Sequence, residues 1–240
     1  VSVQAASLHQ QGDILAGIDS DGQWQDGGQL QLNVTGELDN RGRIISQGTV
    51  QIASDRLYNR QDAAIEGRHL TVHSQSIDNS GLLLADTLIA TADTLDNRGQ
   101  VQGQTLALTA TQLTQHDGVI YQQGEGQLRI GADTLSTPGG IVVSEGEAIV
   151  RSLEIIQGGD WLLGGAATID TGHLTNSGTL QFLASAALNA SVVENRGQLL
   201  FMGQEAPNLQ LGTRLSNSGL LQFSSMDINL TLPELINTGG

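Results

Sequence analysis

The 240-residue chain is 15% charged and 3% aromatic, contains 31 Gly and carries a formal charge of −15. Its ten cations are all Arg, with no Lys, which argues against nucleic acid, anionic membranes and heparin-like sugars as partners, since these require clustered basic side chains. Without Cys it can form neither disulfides nor thiolate metal sites, and no apolar run approaches the ~18 residues of a membrane-spanning helix.

The first clear element is Leu38-Asp39-Asn40-Arg41-Gly42, followed by the apolar Ile44-Ile45 and the alternating Thr49-Val50-Gln51-Ile52-Ala53. That alternation is the period of a strand with one buried face. The same order then recurs. Leu57-Tyr58-Asn59-Arg60-Gln61 is a weak copy, and His69-Leu70-Thr71-Val72 leads into Ile77-Asp78-Asn79-Ser80-Gly81. Leu88-Ile89 precedes Leu95-Asp96-Asn97-Arg98-Gly99, and Leu106-Ala107-Leu108 follows it. Later copies are Leu174-Thr175-Asn176-Ser177-Gly178, Val193-Glu194-Asn195-Arg196-Gly197 and Leu215-Ser216-Asn217-Ser218-Gly219. Ile228-Asn229-Leu230 reads as one more strand, and Ile236-Asn237-Thr238-Gly239 as a last weak copy. Neighbouring copies lie 18 to 22 residues apart, so one repeat is a supersecondary unit that stacks on the next.

Strands of three to five residues separated by turns, with no helical spacing, pair poorly within one coil. They pair well with the equivalent strand of the next coil, in parallel and about 4.8 Å away. The expected fold is therefore all-β, a parallel β-helix of about a dozen coils and roughly 55–60 Å. Asn40, Asn79, Asn97, Asn176, Asn195 and Asn217 are expected as structural turn residues that tolerate left-handed backbone and build an internal amide ladder. The accompanying Gly42, Gly81, Gly99, Gly178, Gly197 and Gly219 are expected to supply positive φ. A leucine-rich repeat fits worse, because there Asn follows its Leu-x-Leu strand almost at once, whereas Asn79 lies seven residues past Val72.

The pattern Leu-Asp-Asn-Arg-Gly-x-Ile/Val, followed by Leu-x-Leu, resembles the haemagglutinin repeats of filamentous haemagglutinin and of contact-dependent growth inhibition toxins. The resemblance extends from about Gln29 to the end. It implies a right-handed parallel β-helix, export through an outer-membrane two-partner secretion transporter, and display on or release from a Gram-negative cell. It implies a structural stalk, reaching host or target-cell receptors through the full-length protein, with no catalytic residue, cofactor or metal. Residues 1–240 read as one β-helix segment of a longer exoprotein, since the chain opens at Val1 in mid-pattern and ends in a turn motif. Its least regular coils are about 112–172, where Leu113-Thr114-Gln115-His116-Asp117-Gly118 loses the Asn and Leu135-Ser136-Thr137-Pro138-Gly139-Gly140 brings in Pro.

Two alternatives to a stalk need candidate residues. A receptor- or carbohydrate-binding module would use exposed aromatics, for which Trp24, Tyr121 and Trp161 are the candidates. A polysaccharide-degrading β-helix would need carboxylates converging from adjacent coils. Glu66 with Arg68, His69 and His73, and Glu145 with Glu147, Arg151 and Glu154, are the sets to test; parity predicts salt bridges within each. The five His (His9, His69, His73, His116 and His173) show no zinc spacing.

Overall fold

The computed structural model describes every residue except Ser20, Met226, Asp227, Asn229 and Gly240. Among the described residues there is no helix; 21 strands join in one sheet, and every strand pairing is parallel. The chain is thus a parallel β-helix, with hydrogen bonds running along the rod from each coil to the next. The strand expected at 228–230 includes Asn229, outside the described residues; Ile228 and Leu230 carry no strand.

Strands are longer than the sequence suggests. Ala64–Asn79, Leu82–Asn97 and Gln100–Gln115 each run 16 residues, because inter-coil bonding continues through the bends. Four-residue strands such as Val119–Gln122 and Thr179–Phe182 remain where a turn interrupts it.

Alternation along each strand turns apolar residues inward, where register aligns them into columns. Leu38, Leu57, Ile77, Leu95, Leu113 and Leu135 stack in successive coils, followed by Ile155, Leu174, Val193 and Leu215. All ten are at most 2% exposed, and burying each contributes about 1.5–3 kcal/mol.

Two further columns compensate each other in size. One runs Leu70, Leu88, Leu106 and Leu128, then shrinks to Ala148, Ala167 and Ala186. The other begins with Gly67, Ala85 and Gly103, passes through Gln122 and Ser144, and swells to Leu163, Phe182 and Phe201. A Cβ on Gly103 would lie 2.9 Å from Leu106 Cδ2, so the small column leaves room for the large one. Beyond the exchange the Phe rings fill the space above alanine. Phe182 and Phe201 stack at 4.9 Å between ring centres, and Phe201 and Phe223 at 5.2 Å. Cross-section is conserved while its allocation is swapped, as close packing requires.

Candidate functional site: the corner column and its surroundings

The inward residue that ends each long face forms a polar column. Gln10, Asn40, Asn59, Asn79, Asn97 and Gln115 stack in register. Thr137, Gln157, Asn176, Asn195, Asn217 and Asn237 continue it, Gln115 and Thr137 lying one residue past the aligned pair Thr114 and Ser136. These twelve positions span about 53 Å at 4.8 Å per step. The members from Asn40 to Asn217 are at most 1% exposed.

Their amides bond to one another. Asn40 Nδ2 donates to Asn59 Oδ1 (2.9 Å), Asn59 to Asn79 (2.8 Å), Asn79 to Asn97 (2.7 Å) and Asn97 to Gln115 Oε1 (2.6 Å). A second run joins Asn176 to Asn195 (2.6 Å), Asn195 to Asn217 (2.6 Å) and Asn217 to Asn237 (2.7 Å). Each Asn that donates in the ladder also reaches backbone, as when Asn59 Nδ2 donates to Leu82 O at 3.0 Å. Gln115 and Gln157 hold Asn positions that a search for Leu-x-Asn passes over. The signal for them is an amide two residues past an inward Leu or Ile.

The expected backbone geometry is corrected. None of the six corner Asn and none of Gly42, Gly81, Gly99, Gly178, Gly197 and Gly219 has positive φ; among the described residues the only non-glycine that does is Asp62. These glycines are required for close approach instead. A Cβ on Gly178 would collide with the carbonyl oxygen of Gly159 in the preceding coil, and one on Gly197 with that of Gly178. Gln61 is accommodated because the turn lengthens, Asp62 takes φ 65°, and Ala63 offers the carbonyl that glycine offers elsewhere, accepting from Leu82 N at 2.9 Å.

Outside the column lie charges. Asp39, 6% exposed at its side chain, accepts from Arg60 (2.5 Å) and Arg41 (3.0 Å). Burial opposes ionisation of this carboxyl, but the two guanidinium groups outweigh it and hold it below the ordinary carboxylate range. His9, Glu37 and Asp39 sit close enough to share an ion, yet both Asp39 oxygens already serve arginines. Arg98 pairs with Asp96 at 3.0 Å, beside His116, and Arg196 and Arg214 both pair with Glu194.

The two carboxylate sets do not form the salt bridges predicted by parity, because cations find partners across coils. Arg68 reaches Asp26 (3.1 Å), not Glu66, and Arg151 reaches Asp170 (3.3 Å), not Glu145 or Glu147. Glu145 instead accepts from Tyr121 Oη and from Gly124 N (2.6 Å), and these bonds lower its pKa while raising that of Tyr121. The aromatic candidates diverge. Trp161 is 1% exposed, its Nε1 donating to Thr137 Oγ1 at 3.2 Å, so it is a core residue and offers no surface contact. Trp24 is 42% exposed in the loop between Ala16 and Gln29, and Tyr121 is half-buried on an outer face.

The haemagglutinin repeat family profile matches residues 27–99, 101–127 and 123–224, well over half of the chain. The chain belongs to the haemagglutinin repeat family. It is similar to "Toxin CdiA" of Escherichia coli, 29% identical over 205 residues that cover 76% of this chain and 6% of that protein. "Deoxyribonuclease CdiA" of Dickeya dadantii is 28% identical across 95% of this chain and 8% of its own length. "tRNA nuclease CdiA" of Escherichia coli O6:K15:H31 is 30% identical across 76% of this chain and 6% of its own length. The chain therefore spans less than a tenth of these relatives, and the match lies in haemagglutinin repeats. No solved structure matches significantly. Family and relatives make this chain part of a secreted, cell-surface protein of the filamentous adhesin or contact-dependent inhibition type.

Proposed function

We propose that this haemagglutinin-repeat segment is a non-catalytic stalk that holds a distal binding or toxin module away from the producing cell. The observation that carries the reading is the column of twelve corner positions along the rod, which makes length the main product of the sequence. In a one-dimensional array each coil contacts only its neighbours, so stiffness comes from repeated, nearly equivalent interfaces. The full-length protein leaves the cell through an outer-membrane two-partner secretion transporter, and its receptor contacts lie with that protein. In-register removal of single coils from the full-length protein tests the stalk. Deleting residues 59–78 joins Tyr58 to Asn79 and restores the Leu-x-Asn string; deleting 176–194 joins Thr175 to Asn195 likewise. Surface display is expected to survive either deletion, with equal effects on target-cell delivery. Loss of delivery on removing one coil but not another of the same length would replace the stalk by a localised site.

A second reading has one observation in its favour. On an outer face, flanked by Gln100 and Gln102 on one side and by Thr179 and Gln181 on the other, Val119 and Ile141 stack beside Tyr121, Val143 and Leu162; Ile141 is 44% and Leu162 37% exposed. An apolar island of this kind suits contact with a protein on a target cell. Ile141→Asp combined with Leu162→Asp leaves the inward columns intact. Unchanged target-cell binding by that variant would dismiss this reading.

A further inference from the structure

Neighbouring coils are tied at the corner twice over. One tie is the side-chain amide ladder. The other is a backbone bond from the residue after the corner to the corner carbonyl of the coil before. Arg60 N donates to Asn40 O (2.9 Å), His116 N to Asn97 O (2.9 Å), Gly158 N to Thr137 O (2.7 Å) and Arg196 N to Asn176 O (2.7 Å). At the junction between Gln115 and Thr137 both ties are missing. Residue 138 is proline and has no N–H to give to Gln115 O. Gln115, fully buried, has no partner for Nε2, and the hydroxyl of Thr137 is engaged by Trp161 Nε1. The ladder restarts only at Asn176, whose Oδ1 has no partner either.

Two independent features change in the coils next to this junction. The inward columns exchange size, from Leu128 to Ala148 in one and from Ser144 to Leu163 in the other. The corner ion pairs end at Arg98 and His116 and resume at Arg196, leaving Pro138, Gly139, Gly158 and Gly159 between.

We propose that the Gln115/Thr137 junction is a seam dividing the rod into two blocks that open separately. A linear array cooperates through its nearest-neighbour interfaces, so one weak interface splits it. Coils on the N-terminal side are held by the ladder from Asn40 to Gln115, those on the C-terminal side by the ladder from Asn176 and by the Phe stack. The seam is a property of this chain whatever its role; in a stalk it is the point at which load is released first.

Urea unfolding of the intact chain tests it, with a Trp24→Phe background so that buried Trp161 alone reports on the C-terminal block. Far-ultraviolet circular dichroism reports on the whole. The two transitions are expected not to coincide, and amides of residues 119–144 are expected to exchange roughly tenfold faster than those of 82–97 and 186–201. Pro138→Ala returns the missing N–H and is expected to narrow the gap. Removing residues 115–175, three whole coils, joins Thr114 to Asn176 and places Asn97 under Asn176, so that one ladder runs from Asn40 to Asn237. That variant lacks Trp161 and keeps Trp24 as its fluorescent reporter, and its fluorescence and circular dichroism transitions are expected to coincide in a single step. Coincident transitions with uniform exchange in the parent chain would overturn the seam, as would a gap that Pro138→Ala leaves unchanged.

Discussion

Asn79→Ala is expected to destabilise the rod by about 3 kcal/mol, lowering its melting temperature by roughly 6–12 °C. Asn79 stands inside the longer ladder, accepting from Asn59 (2.8 Å) and donating to Asn97 (2.7 Å) and to Gln100 O (3.2 Å). Alanine strands a donor on Asn59 and an acceptor on Asn97, both fully buried. Each buried group left unpaired costs about 1–3 kcal/mol. Asp78→Ala, one residue away on the outer face, is expected to cost under ~0.5 kcal/mol, since exposed charges contribute little. Thermal denaturation of the two variants side by side checks this. Equal losses would mean that the ladder is geometry without energetic weight.

Phe182→Ala is expected to cost about 3–5 kcal/mol, because the ring is fully buried and stacked within 4.9 Å of Phe201. Ala186→Leu alone overpacks the neighbouring column and is expected to cost about 1–3 kcal/mol. Together the two convert this coil to the small-then-Leu arrangement of Gly103 and Leu106. The double variant is therefore expected to recover part of the loss, with a coupling of about 0.5–3 kcal/mol. Strict additivity in a double-mutant cycle would refute the idea that the two columns share one volume.

Much of this was legible in the sequence. Alternation at Thr49–Ala53 and the recurrence of Leu-x-Asn give parallel stacking directly, because period-2 segments too short to fold alone must pair with their own repeats. What could not be read is what depends on distances between coils. Gly178 looks like a turn glycine, whereas its need is set by a carbonyl 19 residues earlier. Arg68 looks like a partner of Glu66 by parity, whereas its charge is met from Asp26 in a loop that no periodicity marks. Trp161 reads from sequence either as a surface contact or as turn packing, and its place above Val142 in an inward column buries it. Gln115 departs from the Asn of the repeat yet fills its place, because one extra methylene still brings an amide to Asn97.

The seven inter-coil amide bonds all point the same way, each Nδ2 toward the following coil and each side-chain carbonyl toward the one before. Backbone bonds of parallel strands largely cancel in direction, but these do not. The rod is therefore a vector. Within each run of the ladder, a chain laid down from its N-terminus shows an unfilled N–H to the turn being wound, and a turn slipped by one residue presents an outward side chain where the acceptor must be. Assembly thus carries its own proofreading, built from a single repeated functional group.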